Sequence, residues 1–344
     1  MCYTTHIKPK KGAVPMKLNP IFCSHMVFAA NQPIRFYGEG AGKAEISFAG
    51  ETQTVESAGG FWLAELPPMP YGGPYTAEIT LNGTLITLTD VYVGEVYLMA
   101  GQSNMQFKLK ESKTPAELYR PNPRLRLFST KRLEEGDLFT PADGWVSAEA
   151  DTIGEWSAIG YLTGDILSRR KNIAVGVIAC YQGASVIESW LPKGLLSQNG
   201  ICLPREALHG DHLAPEFALW KQEGTLYRFA LSQVSPFSLT AVAWYQGESD
   251  SSEEEGKVYT KELALLAETL RKDFRRADLP MAVICIADFA PRDDEGWHSI
   301  QRAQLQAGET IPYVTAVPCA DICEKDNIHP PTKHLLAARL AEVL

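Results

Sequence analysis

The sequence lacks a long apolar run: no segment of its 344 residues is hydrophobic enough over about 20 positions to span a bilayer. It also lacks an excess of positive charge, because 32 Lys and Arg stand against 41 Asp and Glu, for a formal net charge of -9. Nucleic acids and anionic membrane surfaces are bound by basic faces. Neither is therefore expected as the main partner of this protein.

Cysteine is scarce as well. The seven cysteines are odd in number and do not have the spacing of a disulfide scaffold. Cys180 and Cys285 lie in apolar, strand-like runs, where a free thiol behaves as a small hydrophobic side chain. The first twenty residues are basic but contain no apolar segment of the kind found in signal peptides. These features predict a reducing compartment and a cytoplasmic location.

The first quarter of the chain shows no helical periodicity. Runs such as PIRFYG, AEISFAG, FWLAEL and YTAEITL alternate apolar and polar residues, and glycine and proline turns separate them. Asn82-Gly83 lies between two alternating runs and predicts a two-residue hairpin. We predict an N-terminal tail over residues 1–15 and a small antiparallel β-sandwich domain over residues 16–90.

The pattern changes over residues 91–344, where apolar strands alternate with amphipathic helices. The strands include EVYLMA, LRLFS, IAVGVIA, LTAVAWY, MAVICIA and YVTAVP. This alternation predicts an α/β domain with a parallel sheet flanked by helices on both faces, a flavodoxin-like three-layer arrangement. Ligands in such folds bind at the carboxyl ends of the strands. Polar loops that follow these strands are therefore expected to meet at one edge of the sheet.

Two of these loops contain a serine and a glycine in suitable places. Ser103 follows strand EVYLMA after a Gly-Gln pair, and a serine in such a turn presents its hydroxyl above the sheet. Gly183 follows strand IAVGVIA, and a glycine there lets a backbone N–H group approach an oxyanion closely. Taken alone, a helix-capping serine and an ordinary turn glycine explain both residues as well.

Two further loops supply an amide, two carboxylates and a histidine. Gln246 and Glu248 follow strand LTAVAWY; the amide can donate to an oxyanion, and the carboxylate can orient a histidine or hold the loop. Asp326 lies three residues before His329, a spacing that lets a carboxylate bind Nδ1 while Nε2 faces a serine. Taken alone, Asp-x-x-His is more often a solvated loop.

Together these blocks resemble the SGNH hydrolases and, more narrowly, the sialate O-acetylesterase family. GQSNM, VGVIACYQGASVIESWLP, WYQGES and DNIHP match the motifs of that family in order and spacing, and the resemblance covers nearly the whole chain. It implies an SGNH fold and an esterase with Ser103 as nucleophile, His329 as base and Asp326 as its partner, without cofactor or metal. It also implies oxyanion donors from the backbone of Ser103 and Gly183 and the side chain of Gln246.

Related acetyl xylan esterases imply that Glu248 is a rival or an accessory to Asp326 as the partner of His329. We also predict four substrate-contacting residues, which are Gln102, Asn104, Trp190 and Gln301. Gln301 stands where the family usually has an arginine. The substrate can therefore be an O-acetylated sialic acid or an acetylated plant glycan such as xylan, and the oligomeric state is left open.

Two other classes of function compete with this interpretation. A glycan-binding protein on a decayed hydrolase fold is one, but decay usually removes a catalytic residue, and all four blocks are intact. Metal-dependent chemistry through His209-Gly210-Asp211-His212, or through Cys319 and Cys323, is the other. Third and fourth ligands at zinc-binding spacing are not evident in the sequence. A carbohydrate O-acetylesterase is the function that the sequence favours.

Overall fold

The computed structural model describes residues 14–130, 144–202 and 219–344. Its strands are β1 Lys17–Leu18, β2 Val27–Ala29, β3 Ile34–Phe48, β4 Glu51–Leu66, β5 Gly72–Leu81, β6 Thr84–Gly101, β7 Asn122–Ser129, β8 Trp145–Ala148, β9 Val175–Tyr181, β10 Ala241–Tyr245, β11 Met281–Ile284 and β12 Val314–Val317. Its longer helices are α1 Ala158–Lys171, α2 Tyr259–Asp273, α3 Glu295–Thr310 and α4 Lys333–Val343. The predicted tail, apart from its last two residues, lies outside the described ranges, as does the His209–His212 segment.

Seven of these strands form a central sheet in the order β8-β7-β9-β6-β10-β11-β12. All neighbouring strands in it are parallel except β7 and β8. One face packs with α1 and α4 and the other with α2 and α3, so both faces of the sheet are buried. This confirms a mixed α/β fold with flanking helices, because each apolar strand predicted after residue 91 corresponds to an observed one.

The N-terminal strands pair in antiparallel fashion, apart from β2, which runs parallel to β6, and β3 is longer than predicted. PIRFYG and AEISFAG, expected as separate strands, both lie in β3, which passes through a bulge between Glu39 and Ala41. Gly40 in this bulge has φ +114°, and a Cβ there would lie 2.3 Å from the Pro15 carbonyl oxygen. The prediction of a turn was wrong because a glycine bulge interrupts the alternation without ending the strand.

Strand β6 joins the two regions. Its first half forms the predicted Asn82-Gly83 hairpin with β5, and its second half pairs with β9 and β10 in the central sheet. The described strands therefore form one hydrogen-bonded network. A division at residue 90 and a separate β-sandwich domain remain predictions.

The N-terminal region packs against the remainder of the chain through a shared apolar core. Phe28 stacks on Phe237 at a ring-centroid distance of 5.3 Å. The buried Arg35 guanidinium donates to the carbonyl oxygen of Phe274 over 3.0 Å. Hydrophobic and polar contacts thus both fix the N-terminal strands against the central sheet. In the ranges that the structure describes, no helix has the length and apolarity needed to cross a membrane.

Candidate active site

Three of the predicted loops begin at the same level of the central sheet. Gly101, the last residue of β6, is in register with Tyr181 at the end of β9 and with Tyr245 at the end of β10. Ser103 and Gly183 each lie two residues beyond these positions. Since β6 lies between the strands that run to either side, the loops meet where strand order reverses, which is the usual place for a ligand in such sheets.

The turn that carries the serine depends on Gly101. This residue has φ +139°, and a Cβ there would lie 2.1 Å from the carbonyl oxygen of Tyr245. A side chain is therefore excluded, both by the backbone conformation and by the close approach of β10. The glycine lets the chain leave the sheet abruptly and places Ser103 at the start of a short helical turn, Ser103–Gln106.

The structure brings Ser103 and His329 together. His329 lies in the loop between β12 and α4, and its Nε2 is 2.8 Å from Ser103 Oγ. Burial of the imidazole, together with the charge of nearby Lys333, lowers the pKa of His329 from its ordinary value of 6.5. The neutral ring is therefore favoured near pH 7, and a neutral Nε2 can accept the proton of the serine hydroxyl.

Neither predicted carboxylate is hydrogen-bonded to this histidine. The hydrogen bonds of His329 within the described ranges are the one to Ser103 and one from its backbone N–H to Asn327 Oδ1. Asp326 is exposed to solvent. Glu248 is buried, and its Oε1 accepts from Asn104 Nδ2 instead. Burial raises the pKa of Glu248, with the hydrogen bond from Asn104 acting in the opposite direction.

Gly183 lies next to Ser103, as expected from the loops that follow β6 and β9. A Cβ built on Gly183 would be 3.7 Å from Ser103 Cβ, so the two loops touch. The Gly183 N–H donates to Gln106 Oε1 over 3.0 Å. The Gln106 amide oxygen therefore occupies the hydrogen-bonding position in front of the Gly183 N–H group, next to the serine. Gln106 was missed in the sequence, although it closes the same GQSNMQ segment.

The Gln246 side chain makes contacts other than those expected of an oxyanion donor. It is fully buried, its Nε2 donates to the Ser185 carbonyl oxygen over 3.0 Å and to Asp250, and its Oε1 accepts from the Tyr259 hydroxyl over 2.6 Å. Both amide hydrogens are thus used inside the protein. The contacts of Gln246 do not support an oxyanion donor, because neither N–H group is left for a ligand.

The predicted substrate contacts are also corrected in part by burial. Trp190 is completely buried, lies edge-on to Trp244 at 5.5 Å and donates Nε1 to Ser185 Oγ over 3.0 Å. It is a core residue, since no part of its ring is accessible to a ligand. Gln102 is likewise buried, and its Oε1 accepts from the Gly247 N–H over 3.2 Å, which joins the serine loop to the β10 loop.

The other two predicted contacts are engaged within the protein. Asn104 is 1% exposed and binds Glu248, Lys333 and the Ile328 carbonyl oxygen. Gln301 is half-buried and donates Nε2 to the Ile286 carbonyl oxygen over 3.1 Å. Asn104 therefore connects the loops of Ser103 and His329, whereas Gln301 holds the loop that follows β11. Their sequence positions indicated proximity to the site but not their partners.

One group of acidic residues in the described part of the chain could hold a metal ion. Carboxylate oxygens of Glu188, Asp250 and Glu255 lie within 4.8 Å of one another, and all three residues are buried. Asp250 is already bound by the Ile187 N–H and by Gln246, so this group also fixes the loops behind the site. The group lies next to Gln246, outside the Ser103 and His329 pair.

Cys319 and Cys323 are the thiols that the sequence analysis considered as alternative metal ligands. The Cys319 thiol is buried and donates to the Cys285 carbonyl oxygen over 3.1 Å. This contact is typical of a thiol within a protein core. The His209 and His212 alternative lies outside the described residues.

A serine and a histidine in contact at the carboxyl edge of a parallel sheet are typical of α/β serine esterases. The chain belongs to the family of carbohydrate esterases described as sialic acid-specific acetylesterases, whose model matches residues 93–344.

Individual relatives agree with this assignment. The chain is 25% identical over 321 residues to a sialate O-acetylesterase from Pongo abelii and 24% identical over 348 residues to one from Mus musculus, with 83% of the chain covered in each case. It spans only 60% and 63% of the length of these two relatives. Among solved structures, a carbohydrate acetylesterase from Xanthomonas citri superposes with a TM-score of 0.80 at 25% identity, over 95% of this chain and 74% of the other.

Proposed function

We propose that the protein is a carbohydrate O-acetylesterase that hydrolyses acetyl esters on sugar hydroxyls, with O-acetylated sialic acid as the first candidate substrate. The 2.8 Å contact between Ser103 Oγ and His329 Nε2 is the observation that carries the proposal. The family assignment and the sialate O-acetylesterases among the relatives support the choice of substrate. The turn after β6, which presents the serine at the strand-order reversal, supports an SGNH type of fold.

The chemistry follows from the two side chains. His329 Nε2 takes the proton of Ser103 while Oγ attacks the acetyl carbonyl carbon, which forms a tetrahedral oxyanion. The protonated imidazole then gives this proton to the sugar oxygen as the bond between that oxygen and the acetyl carbon breaks. Water attacks the resulting acetyl-serine with His329 as base, and acetate leaves as Ser103 recovers its proton.

Two backbone donors serve the oxyanion in this proposal, the N–H groups of Ser103 and Gly183. Gln106 Oε1 accepts from Gly183 in the structure and so stands in for the carbonyl oxygen of a substrate. An entering acetyl group displaces this amide, and its oxygen gains the same hydrogen bond with more negative charge in the transition state. The Gln246 amide is replaced in this role because its hydrogens are committed elsewhere.

His329 works in our proposal without a directly bonded carboxylate. Asp326 acts at most through its charge, since it is exposed, and Glu248 acts through Asn104. A serine–histidine pair retains the essential proton transfer, because the carboxylate of a triad mainly orients and stabilises the imidazole. Here the contact with Ser103 and the turn made by Asn327 orient the ring.

The experiment is acetate release by purified protein from O-acetylated sialosides and from acetylated xylan, with Ser103→Ala as control. We expect release from the sialoside that disappears in the variant. Acetate release from xylan alone contradicts O-acetylated sialic acid as the substrate but still supports an esterase. Glycan binding without acetate release from either substrate contradicts the esterase and favours the non-catalytic alternative. We also propose that the protein has the reducing, cytoplasmic location that its sequence predicts.

A further inference from the structure

Lys333 is a buried cation directly behind the proposed catalytic pair. It is the first residue of α4 and is completely buried. No carboxylate in the described part of the chain lies within 4 Å of its ammonium group, which instead lies 5.2 Å from the ring centre of Phe107 and 5.5 Å from that of Tyr245. Burying a cation at the N-terminus of a helix costs free energy, because the charge loses its hydration and lies at the positive end of the helix dipole. Its placement therefore costs stability, which suggests a role in the site.

The lysine determines the orientation of the Asn104 amide. Its Nζ donates to Asn104 Oδ1 over 2.6 Å, and since an ammonium group can only donate, the amide oxygen must face it. The amide nitrogen is then directed to Glu248 Oε1 and to the Ile328 carbonyl oxygen, the latter over 2.9 Å. Asn104 follows the serine, and Ile328 precedes the histidine. One side chain thus links the backbone next to both proposed catalytic residues.

We propose that Lys333 is a positioning residue of the site, which holds His329 against Ser103 through Asn104 and keeps the imidazole neutral through its positive charge. The inference rests on the proposed function for its catalytic consequence only. The protonation of His329 can be measured whether or not the substrate is correctly assigned.

The electrostatic part of the proposal involves several groups around the lysine. Burial lowers the pKa of Lys333 to about 8, and its charge is the second cause, after burial, of the lowered pKa of His329. Glu111 acts on His329 in the opposite direction. The groups that face Lys333 from the neighbouring loops and favour its charged form are Glu248, Cys319, Cys323 and Glu324. Lys333 remains largely charged at the lower pH values at which His329 titrates, so its removal must make His329 easier to protonate.

The first test does not require activity. The protonation midpoint of His329 is measured by NMR titration of the histidine side chains, assigned with a His329→Gln variant. We expect the midpoint to move to higher pH in Lys333→Met and to stay unchanged in Lys257→Met, which removes an exposed lysine from a surface ion pair. A folded Lys333→Met protein with an unchanged or lower midpoint would overturn the proposal.

The second test measures hydrolysis of 4-methylumbelliferyl acetate, an ester that needs no sugar recognition. Lys333→Met should lower kcat by about 10²-fold, the effect of a small misplacement of reacting groups, with a smaller change in KM. Lys333→Arg should retain the acid midpoint of wild type, because the charge is kept. A Lys333→Met enzyme within about twofold of wild type would contradict the positioning role. Wild-type protein inactive on every ester would refute the proposed function, and the NMR result would still decide this inference.

Stability separates positioning from a structural role. We expect Lys333→Met to unfold near the wild-type Tm, because the lost hydrogen bond to Asn104 is offset by removal of a buried cation. Strong destabilisation with an unchanged His329 midpoint would show a structural role and overturn the proposal. Should this variant fail to fold, Asn104→Ala decides: a lower kcat with an unraised midpoint supports the linkage, and full kcat refutes it.

Discussion

Replacement of Gln246 by alanine tests whether this amide supports the fold or the transition state. The substitution removes three buried hydrogen bonds, to the Ser185 carbonyl oxygen, to Asp250 and from Tyr259. Each buried polar group left without a partner costs about 1–3 kcal/mol. Asp250 keeps the Ile187 N–H and Tyr259 keeps the Gln246 carbonyl oxygen, so the low end of the range applies to both. We expect a loss of unfolding free energy of about 3–5 kcal/mol.

The assay is chemical and thermal unfolding of Gln246→Ala beside Gln306→Ala, an exposed glutamine on α3 that should change stability by less than about 0.5 kcal/mol. A loss of this size should lower Tm by roughly 6 °C or more. An oxyanion donor behaves differently, because its removal lowers kcat by about 10²–10³-fold without destabilising the protein. A Gln246→Ala protein as stable as Gln306→Ala, with kcat reduced to that extent, would refute our interpretation of the contacts.

Three further predictions concern the proposed catalytic pair and the two carboxylates considered as partners of His329. Ser103→Ala should abolish acetyl ester hydrolysis, by about 10⁴-fold or more, while the circular dichroism spectrum is unchanged; substantial residual activity would exclude the nucleophile. Since the pKa of His329 is lowered from 6.5, kcat/KM should fall only as the pH drops below that value, and a rate independent of pH from 4 to 8 would contradict a histidine base. Asp326→Asn should reduce kcat by less than about tenfold and less than Glu248→Gln does, because only Glu248 lies in the buried network; a loss near 10⁴-fold in Asp326→Asn would restore the triad.

The sequence allowed the central sheet to be predicted because its signals are local. The apolar strands are bounded by turn residues, and β10, β11 and β12 are each followed by a long helix. Parallel strands place their carboxyl ends together whatever the loop contents. The proximity of Ser103, Gly183 and His329 could be predicted for the same reason, as each follows a strand or precedes a helix. Their proximity then depends on topology more than on side-chain detail.

The partners of the buried polar side chains could not be predicted in this way. Gln246 and Asn104 each have two donors and an acceptor, and the sequence does not show which groups of distant segments will meet them. Lys333 resembles an ordinary charged residue at a helix start, and only the packing of Tyr245 and Phe107 around it reveals its burial. The Asp-x-x-His spacing permits a hydrogen bond but does not impose one, since the turn made by Asn327 decides where each side chain points.

The continuity of β6 limits how this protein can be divided. The strand begins in a hairpin at Thr84 and ends at Gly101, two residues before the proposed nucleophile. A truncated chain that starts at residue 91, or at residue 93 where the family match begins, would cut this strand in its middle. It would keep the half that pairs with β9 and β10 but lose Phe28, which stacks on Phe237, and so expose apolar surface. Expression trials, fusions and domain exchanges should therefore keep residues 14–101 joined to the rest, because the N-terminal hairpin and the serine turn lie at the two ends of one continuous strand.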